Sequence, residues 1–387
     1  MPWSFDYLIV GAGFAGMTIA ERLVSTKGAR VLIVERRNHI GGNAHDHYDD
    51  AGVLIHRYGP HYFRTNAPRI RAYLSKFTDW TPVDYTIKSF TRDRYWNFPV
   101  NLNTFEQLIG RPATSGEFVD WLEQNKVSIE NPRNSEEIIL SQVGHELYEL
   151  FFKGYTLKQW KRHPRDLDAS VCGRIPIRTN RDDRYLKEEF QALPSAGYHR
   201  IFERMAQAMG ENVKILLNTD YREVLPHVQF DHMVYTGPID AYFDFAHGKL
   251  PYRSLRFEFE SFEGKDLADR ESVSGKPGFW QPAMQVNYPD ESVPWTRIVE
   301  IKHATGQQCL PTTIVREFPE DFGAGKEPYY PVPNAESAAV YKKYKEMADA
   351  LPNVSFIGRL ATYRYYNMDQ VVGMALAEAD KLQSREI

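Results

Sequence analysis

The apolar run FDYLIV at 5–10 has the length and content of a strand buried inside a parallel sheet. After GAGFAG at 11–16 the pattern turns helical through MTIAERLV, and VLIVE at 31–35 reads as a second strand ending in Glu35. The same strand-like signal returns at VKILLNTDYREV (213–224), FDHMVYTGPID (230–240) and VSFIGRL (354–360). MDQVVGMALAEADKL (368–382) then predicts a helix, with Met374, Ala375, Ala377 and Leu382 among its small or apolar positions. Between these pieces, IKSFTRDRYWNFPVN (87–101) predicts a hairpin. FEQLIG, EFVDWLEQN and EEIILSQVGHELYELFF predict helices within 102–170. LRFEFESF, PAMQVNYPD, TRIVEIKH and TTIVREF alternate in strand fashion over 250–330. The expected fold is α/β: a discontinuous Rossmann-like domain (1–80, 205–245 and 350–387), a helical domain (102–190), and an antiparallel sheet domain (81–101 and 246–349).

The first βαβ unit carries a dinucleotide fingerprint. Gly11 permits the tight turn, Gly13 lets backbone approach a pyrophosphate, and Gly16 allows close helix–strand packing. The helix N-terminus offers free N–H groups to phosphate. Glu35 is placed to accept hydrogen bonds from ribose hydroxyls. A second glycine pair, Gly41 and Gly42 in RRNHIGGNAHD, is the mark of the large FAD-binding family that includes amine oxidases and GDP dissociation inhibitors. FAD is therefore the expected cofactor. The late strand–Gly–helix unit would close over the flavin, with the helix N-terminus stabilising negative charge there.

Composition changes this picture little. Apolar residues are 42% and charged residues 25% of the 387, as in globular proteins. The formal charge of −4 argues against a general nucleic-acid binder. The two cysteines, Cys172 and Cys309, have no metal-site or redox-pair spacing, so no metal is expected. The absence of a leader pattern, of an apolar run of about 18 residues and of a disulfide framework predicts a cytoplasmic protein. The 23 tyrosines do suggest a polar pocket as much as a tyrosine-rich core.

A second chemistry-bearing stretch is FFKGYTLKQW (151–160), with four aromatic residues among ten. Gly154 is expected to interrupt the helix and Thr156 to cap a new turn. The aromatics then form either a hydrophobic staple between helices or a stacking platform for a nucleobase. RIPIRTNRDDRY (174–185) holds four arginines without apolar periodicity. It is either a solvated surface loop or a mobile arginine lid, spanning 173–185, over phosphates.

Taken in order, GAGFAG…VERRNHIGGNAHD, YGPHYFRT, FFKGYTLKQW, RIPIRTNRDDRY, PWTRIVEIKH, EPYYPV and GRLATYRYYNMD resemble the bacterial UDP-galactopyranose mutase family from end to end. The resemblance implies an isomerase that interconverts the pyranose and furanose forms of UDP-galactose without net redox. N5 of reduced FAD would be the nucleophile on the anomeric carbon and UDP the leaving group. It implies the site as well. Arg174 and Arg297 would clamp the diphosphate, and His61 would lie close to the flavin. Phe152 and Tyr155 would hold the uracil, with Phe151 and Thr156 beside them, and Trp160 would line the diphosphate side. Asn287 would contact the uridine, Tyr185, Tyr330 and Tyr365 the phosphates, and Arg359 and Asn367 complete the substrate set. Further cofactor contacts would be Phe14, Ala15, Arg36, Asn43, Ala44, Tyr221, Gly237, Gly358, Arg359, Tyr366, Met368 and Asp369. Implied partners are UDP-galactose, an external reductant such as NAD(P)H, and a second copy in a homodimer. The product would supply galactofuranose for cell-surface glycans. Arg64, where the family more often has His, and Asn367, where Asp is frequent, depart from its pattern.

Two other readings share the fold. An FAD amine oxidase or desaturase would have an apolar substrate channel and release hydrogen peroxide. A GDP-dissociation-inhibitor-like binding protein would be colourless.

Overall fold

Buried, β-branched segments flanked by glycine form the central layer because parallel strands covered on both faces can bury every side chain. The computed structural model describes residues 3–323, 325–332 and 334–384. Positions 1–2 and 385–387 of the expected cofactor domain, and 324 and 333 of the expected sheet domain, lie outside the described residues. Five parallel strands stand in the order Val213–Leu216, Val31–Val34, Tyr7–Val10, His232–Tyr235, Val354–Phe356. Leu8, Ile9, Leu32, Ile33 and Val234 are fully buried in it. The strand order reverses beside Tyr7–Val10, so the crevice beyond the carboxyl ends of Tyr7–Val10 and His232–Tyr235 is the switch point where such sheets bind ligands. Helix Phe14–Lys27 covers one face and packs on helices Tyr198–Met209 and Met368–Gln383. Among the described residues no helix is long and apolar enough to cross a membrane.

The second large sheet has seven strands, ordered Tyr330–Pro331, Tyr252–Phe262, Thr312–Asp321, Arg297–Val299, Gln285–Asn287, Ile87–Thr91 and Arg94–Phe98. It is antiparallel except at one join, where Gln285–Asn287 runs parallel to Ile87–Thr91. The expected hairpin is present. Arg92 and Asp93 turn it with φ of 50° and 55°, the left-handed pair that a two-residue hairpin loop requires. A three-stranded antiparallel sheet of Phe63–Thr65, Phe190–Pro194 and Trp80–Pro82 was not expected. Its strands are three to five residues long, too short to show a period. Helix Tyr198–Met209 is a further element beyond those expected, with Tyr198, Ile201, Phe202, Met205 and Met209 on its buried face.

The helical insertion comprises Leu102–Ile109, Ser115–Asn125 and Ser135–Leu147, each entered through a side-chain cap, from Asn101, Thr114 and Asn134. The expected break at Gly154 is corrected. Gly154 is helical, at φ −64° and ψ −39°, and Thr156 is no cap but a buried residue whose hydroxyl lies 3.6 Å from Cys172 Sγ. The chain breaks instead at Gly144 (φ 74°) and then winds as a π-helix over Tyr148–Lys153, which runs directly into helix Gly154–Trp160. Glycine at 154 serves close approach, because a Cβ there would stand 2.3 Å from the Pro289 carbonyl oxygen. Gly154→Ala is therefore expected to destabilise the fold by about 1–3 kcal/mol despite alanine's better helix propensity, as read by urea unfolding. Unchanged or raised stability would mean that the 289 loop yields freely.

Candidate active site

Strand register builds the floor of the site. Asn287 lies opposite Arg297, and Arg297 opposite Glu317, so the three side chains form a row across one face of the seven-stranded sheet. Gln285 stands two residues before Asn287 on the same face. This row opens into a cavity of about 410 Å³. Phe151, Phe152, Tyr155, Thr156 and Trp160 form one wall. Arg174 and Tyr185 come from the arginine-rich segment, and Tyr330, Arg359, Tyr365 and Asn367 from the other side. All thirteen expected substrate contacts line this one cavity, together with His61, Asn43 and Met368 of the expected cofactor set.

The aromatic wall is packed against further rings behind it. Phe151 packs edge-on to Trp96 (5.7 Å between centroids), and Phe98 lies 5.8 Å from Phe152. The lysines of the stretch do not reach the cavity. Lys153 pairs with Glu149, and Lys158 donates to the carbonyls of Asp290, Val293 and Trp295, pinning the helix to that loop.

The arginine-rich segment needs a similar correction, because only Arg174 of its four arginines lines the cavity. Arg178 donates to the carbonyls of Asp182, Arg184 and Leu186. Arg181 holds Glu106 with two contacts of 2.6 Å, and Arg184 holds Asp182. Three arginines thus shape the loop and anchor it to helix Leu102–Ile109.

Charge in the cavity is strongly organised. The Arg174 guanidinium lies 4.9 Å from the Tyr365 ring, and Arg359 lies 5.5 Å from it. Tyr365 stacks on Tyr330 at 5.3 Å. Tyr365 is 43% exposed; desolvation by the cavity walls would raise its phenol, but Arg174 and Arg359 pull it down to about 8. The Tyr365 oxygen in turn holds Arg174 charged. Burial works against the charge of Arg297, but the Glu317 carboxylate together with Tyr155, Tyr330 and Tyr85 outweighs it, so its pKa is raised and the guanidinium stays charged. Arg297 Nη2 stands 2.7 Å from Glu317 Oε2. The pair is close but off-line, so Arg297 Nε and both Glu317 oxygens lack an aligned hydrogen bond.

His61 is pushed down to about 3, first by burial and then by neighbouring His56. Its Nδ1–H donates to the Gly59 carbonyl (2.7 Å), which leaves Nε2 with the lone pair. At neutral pH His61 is therefore an acceptor, and no store of positive charge.

The remaining cofactor expectations gather at the switch point. Gly11, at φ 105°, could carry no Cβ, which would meet Thr236 Oγ1 at 2.1 Å. Gly13 faces the Gly42 backbone, and Gly358 faces Ala15 and Thr236. Gly13 is the N-cap of helix Phe14–Lys27 and offers no side-chain cap, so the first-turn N–H groups are open to an anion. Glu35 accepts from the N–H groups of Ala12 and Arg37, both 2.9 Å. Bare helix terminus, glycine cradle and buried carboxylate are the donor and acceptor set a dinucleotide cofactor needs.

Some expected contacts point elsewhere. The Phe14 ring is core, 4.7 Å from Phe202, so only its backbone is available. Arg36 pairs with Glu327 on the surface. Tyr221 belongs to an aromatic cluster with Tyr235 and Tyr242, near Gly237. Tyr366 gives its carbonyl to Arg359, 2.9 Å, and its ring lies outside the cavity lining. Asp369 sits in the first turn of helix Met368–Gln383. Ala44 is buried at the end of the 42–44 turn. Sequence reasoning missed Tyr58, Tyr85, Gln159, Gln285 and Glu317 in the lining. For Glu317 the signal exists only in its cross-strand register with Arg297, and for Gln285 in its place two residues before Asn287, the partner of Arg297.

With this geometry in hand, the relatives can be placed. A family model described as UDP-galactopyranose mutase matches residues 150–365, and one described as an NAD(P)-binding Rossmann-like domain matches residues 9–77. A probable UDP-galactopyranose mutase of Klebsiella pneumoniae is 36% identical over 384 residues, spanning 98% of this chain and 95% of its own. A dTDP-fucopyranose mutase of Escherichia coli is 33% identical over 378 residues, spanning 95% of this chain and 96% of its own. The crystal structure of reduced UDP-galactopyranose mutase matches with a TM-score of 0.75 at 16% identity, covering 98% of this chain and 94% of that one, which is a likeness of fold.

Proposed function

The chain belongs to the UDP-galactopyranose mutase family, and on that premise we propose that it interconverts UDP-galactopyranose and UDP-galactofuranose with FAD as its cofactor. One observation carries the reading: Arg174, Arg297 and Arg359 converge with Tyr185, Tyr330 and Tyr365 on a cavity whose other wall is aromatic. That combination suits a nucleoside diphosphate, with a flat base at one end and two phosphates at the other.

Phe152 and Tyr155 hold the uracil, and Asn287 contacts the uridine. Gln285 donates to Asn287 Oδ1 (2.8 Å), which turns the Asn287 amide N–H₂ towards the ligand. Arg174 and Arg297 neutralise the diphosphate as the glycosidic bond breaks. When bound in its reduced form, the cofactor would supply the nucleophile through N5, with UDP as the leaving group. His61 accepts a hydrogen bond at Nε2 beside the cofactor. The 173–185 segment keeps water from the reacting sugar. Gly11, Gly13 and Gly16 with the open helix N-terminus hold the pyrophosphate, and Glu35 the ribose. The three-part domain division, a cytoplasmic location, a homodimer, an external reductant such as NAD(P)H and a role in galactofuranose-containing surface glycans complete the proposal.

The test is anaerobic. Purified protein is divided, one half reduced with dithionite, and UDP-galactofuranose added to both. Conversion to UDP-galactopyranose only in the reduced half is the expected result. No conversion in either half, followed by release of hydrogen peroxide when the oxidised protein is assayed in air, would point to an oxidase. The full-length likeness to a dTDP-fucopyranose mutase motivates a parallel arm with dTDP-fucofuranose, and faster turnover there would move the substrate assignment to that sugar nucleotide.

A further inference from the structure

Glu317 is the carboxylate that the reading above leaves without a task. It lines the cavity at 1% exposure, in the same cross-strand row as Arg297. Phe257 lies opposite it on the other neighbouring strand. The loop above comes so close that a Cβ on Gly59 would stand 3.3 Å from Glu317 Oε2. Tyr85, Tyr155 and Tyr330 lie within its electrostatic reach, and each phenol is made harder to ionise by it. The charged residues lining the cavity are Arg64, Arg174, Lys187, Arg297 and Arg359 against Glu188 and Glu317. Glu188 is occupied by Arg64, 3.3 Å away. Glu317 is thus the buried anion facing the guanidinium assigned to the diphosphate.

A buried carboxylate beside a diphosphate site opposes ligand binding, since like charges repel strongly where water is excluded. Its presence there calls for a compensating use. In the proposed reaction UDP detaches and must then return to the sugar. Free UDP carries more negative charge than the sugar nucleotide, because its terminal phosphate ionises with a constant near 6. An uncompensated set of guanidiniums would hold detached UDP most tightly of all. We propose that Glu317 is a positioning residue that fixes Arg297 and limits the positive charge presented to the diphosphate, so that detached UDP is not over-stabilised relative to the UDP-sugar. This rests on the cavity being a UDP-sugar site.

The experiment measures dissociation constants of UDP and of UDP-galactose on the FAD-loaded protein, for wild type, Glu317→Gln and Glu317→Asp. Gln keeps the size and an acceptor for Arg297 and removes the charge. It is expected to tighten UDP about tenfold, and to tighten UDP-galactose about threefold less than that. KM should fall with the binding constant while kcat does not rise. Asp keeps the charge on a shorter arm and is expected to bind both ligands within about twofold of wild type, with lower kcat. Unchanged or weaker UDP binding in the Gln variant overturns the proposal. So does an Asp variant that binds UDP as tightly as Gln is expected to, which also decides the matter if the Gln variant does not fold. If wild type binds neither UDP nor UDP-galactose, the UDP-sugar reading fails first, and this inference with it.

Discussion

Arg297→Ala is expected to lower turnover of the dithionite-reduced protein by about 10²–10³, while the oxidised protein as purified stays yellow and folded. The guanidinium sits on a rigid strand, opposite Asn287 and Glu317, with its geometry set by the ladder and by no flexible loop. In the proposed reaction negative charge grows on the diphosphate as UDP departs. A fixed, charged, water-excluded donor is most effective at that moment. Removing it also leaves Glu317 buried without its partner, which adds repulsion to the loss of attraction. Arg174→Ala should act in the same direction, because Arg174 supplies the second charge and holds Tyr365. Steady-state kinetics under anaerobic conditions read both. Near-normal turnover in either variant would remove that residue from the diphosphate clamp.

Gly16→Ala should yield a colourless protein. A Cβ at this position would stand 2.0 Å from the Gly11 carbonyl oxygen and 3.0 Å from Ile9 Cγ2. The oxygen belongs to the backbone of the turn proposed as the cofactor cradle, so the turn itself must move. Alanine is otherwise the better helix residue by about 1 kcal/mol, so local propensity pulls the opposite way and any loss reports the contact. Flavin absorbance per polypeptide is the measurement, with far-ultraviolet circular dichroism to show that the sheet survives. A variant that retained full flavin would mean that the 11–16 turn is not the cofactor seat.

The cofactor half was legible because its chemistry is local. Gly11, Gly13, Gly16 and Glu35 lie within one βαβ unit, and the backbone conformations they serve follow from short-range sterics. The substrate half was legible in part. FFKGYTLKQW announced an aromatic wall, but its lysines bind a neighbouring acid and loop carbonyls, and Gly154 turned out to be a contact glycine and not a break. The four arginines of 174–185 look alike in sequence. Which one faces the ligand depends on where Glu106, Asp182 and the loop carbonyls stand.

Sequence by itself determined the Rossmann-like α/β core and the dinucleotide fingerprint, since period and spacing record which residues share an element, and its ordered motifs carried the family resemblance. Only the tertiary structure decided how the elements meet. It set Asn287, Arg297 and Glu317 side by side, brought Arg174 and Tyr365 together from positions 191 residues apart, and held His61 as a neutral acceptor. Cross-strand register, burial and the field of neighbouring charges arise between segments distant along the chain. No local pattern in either segment encodes them.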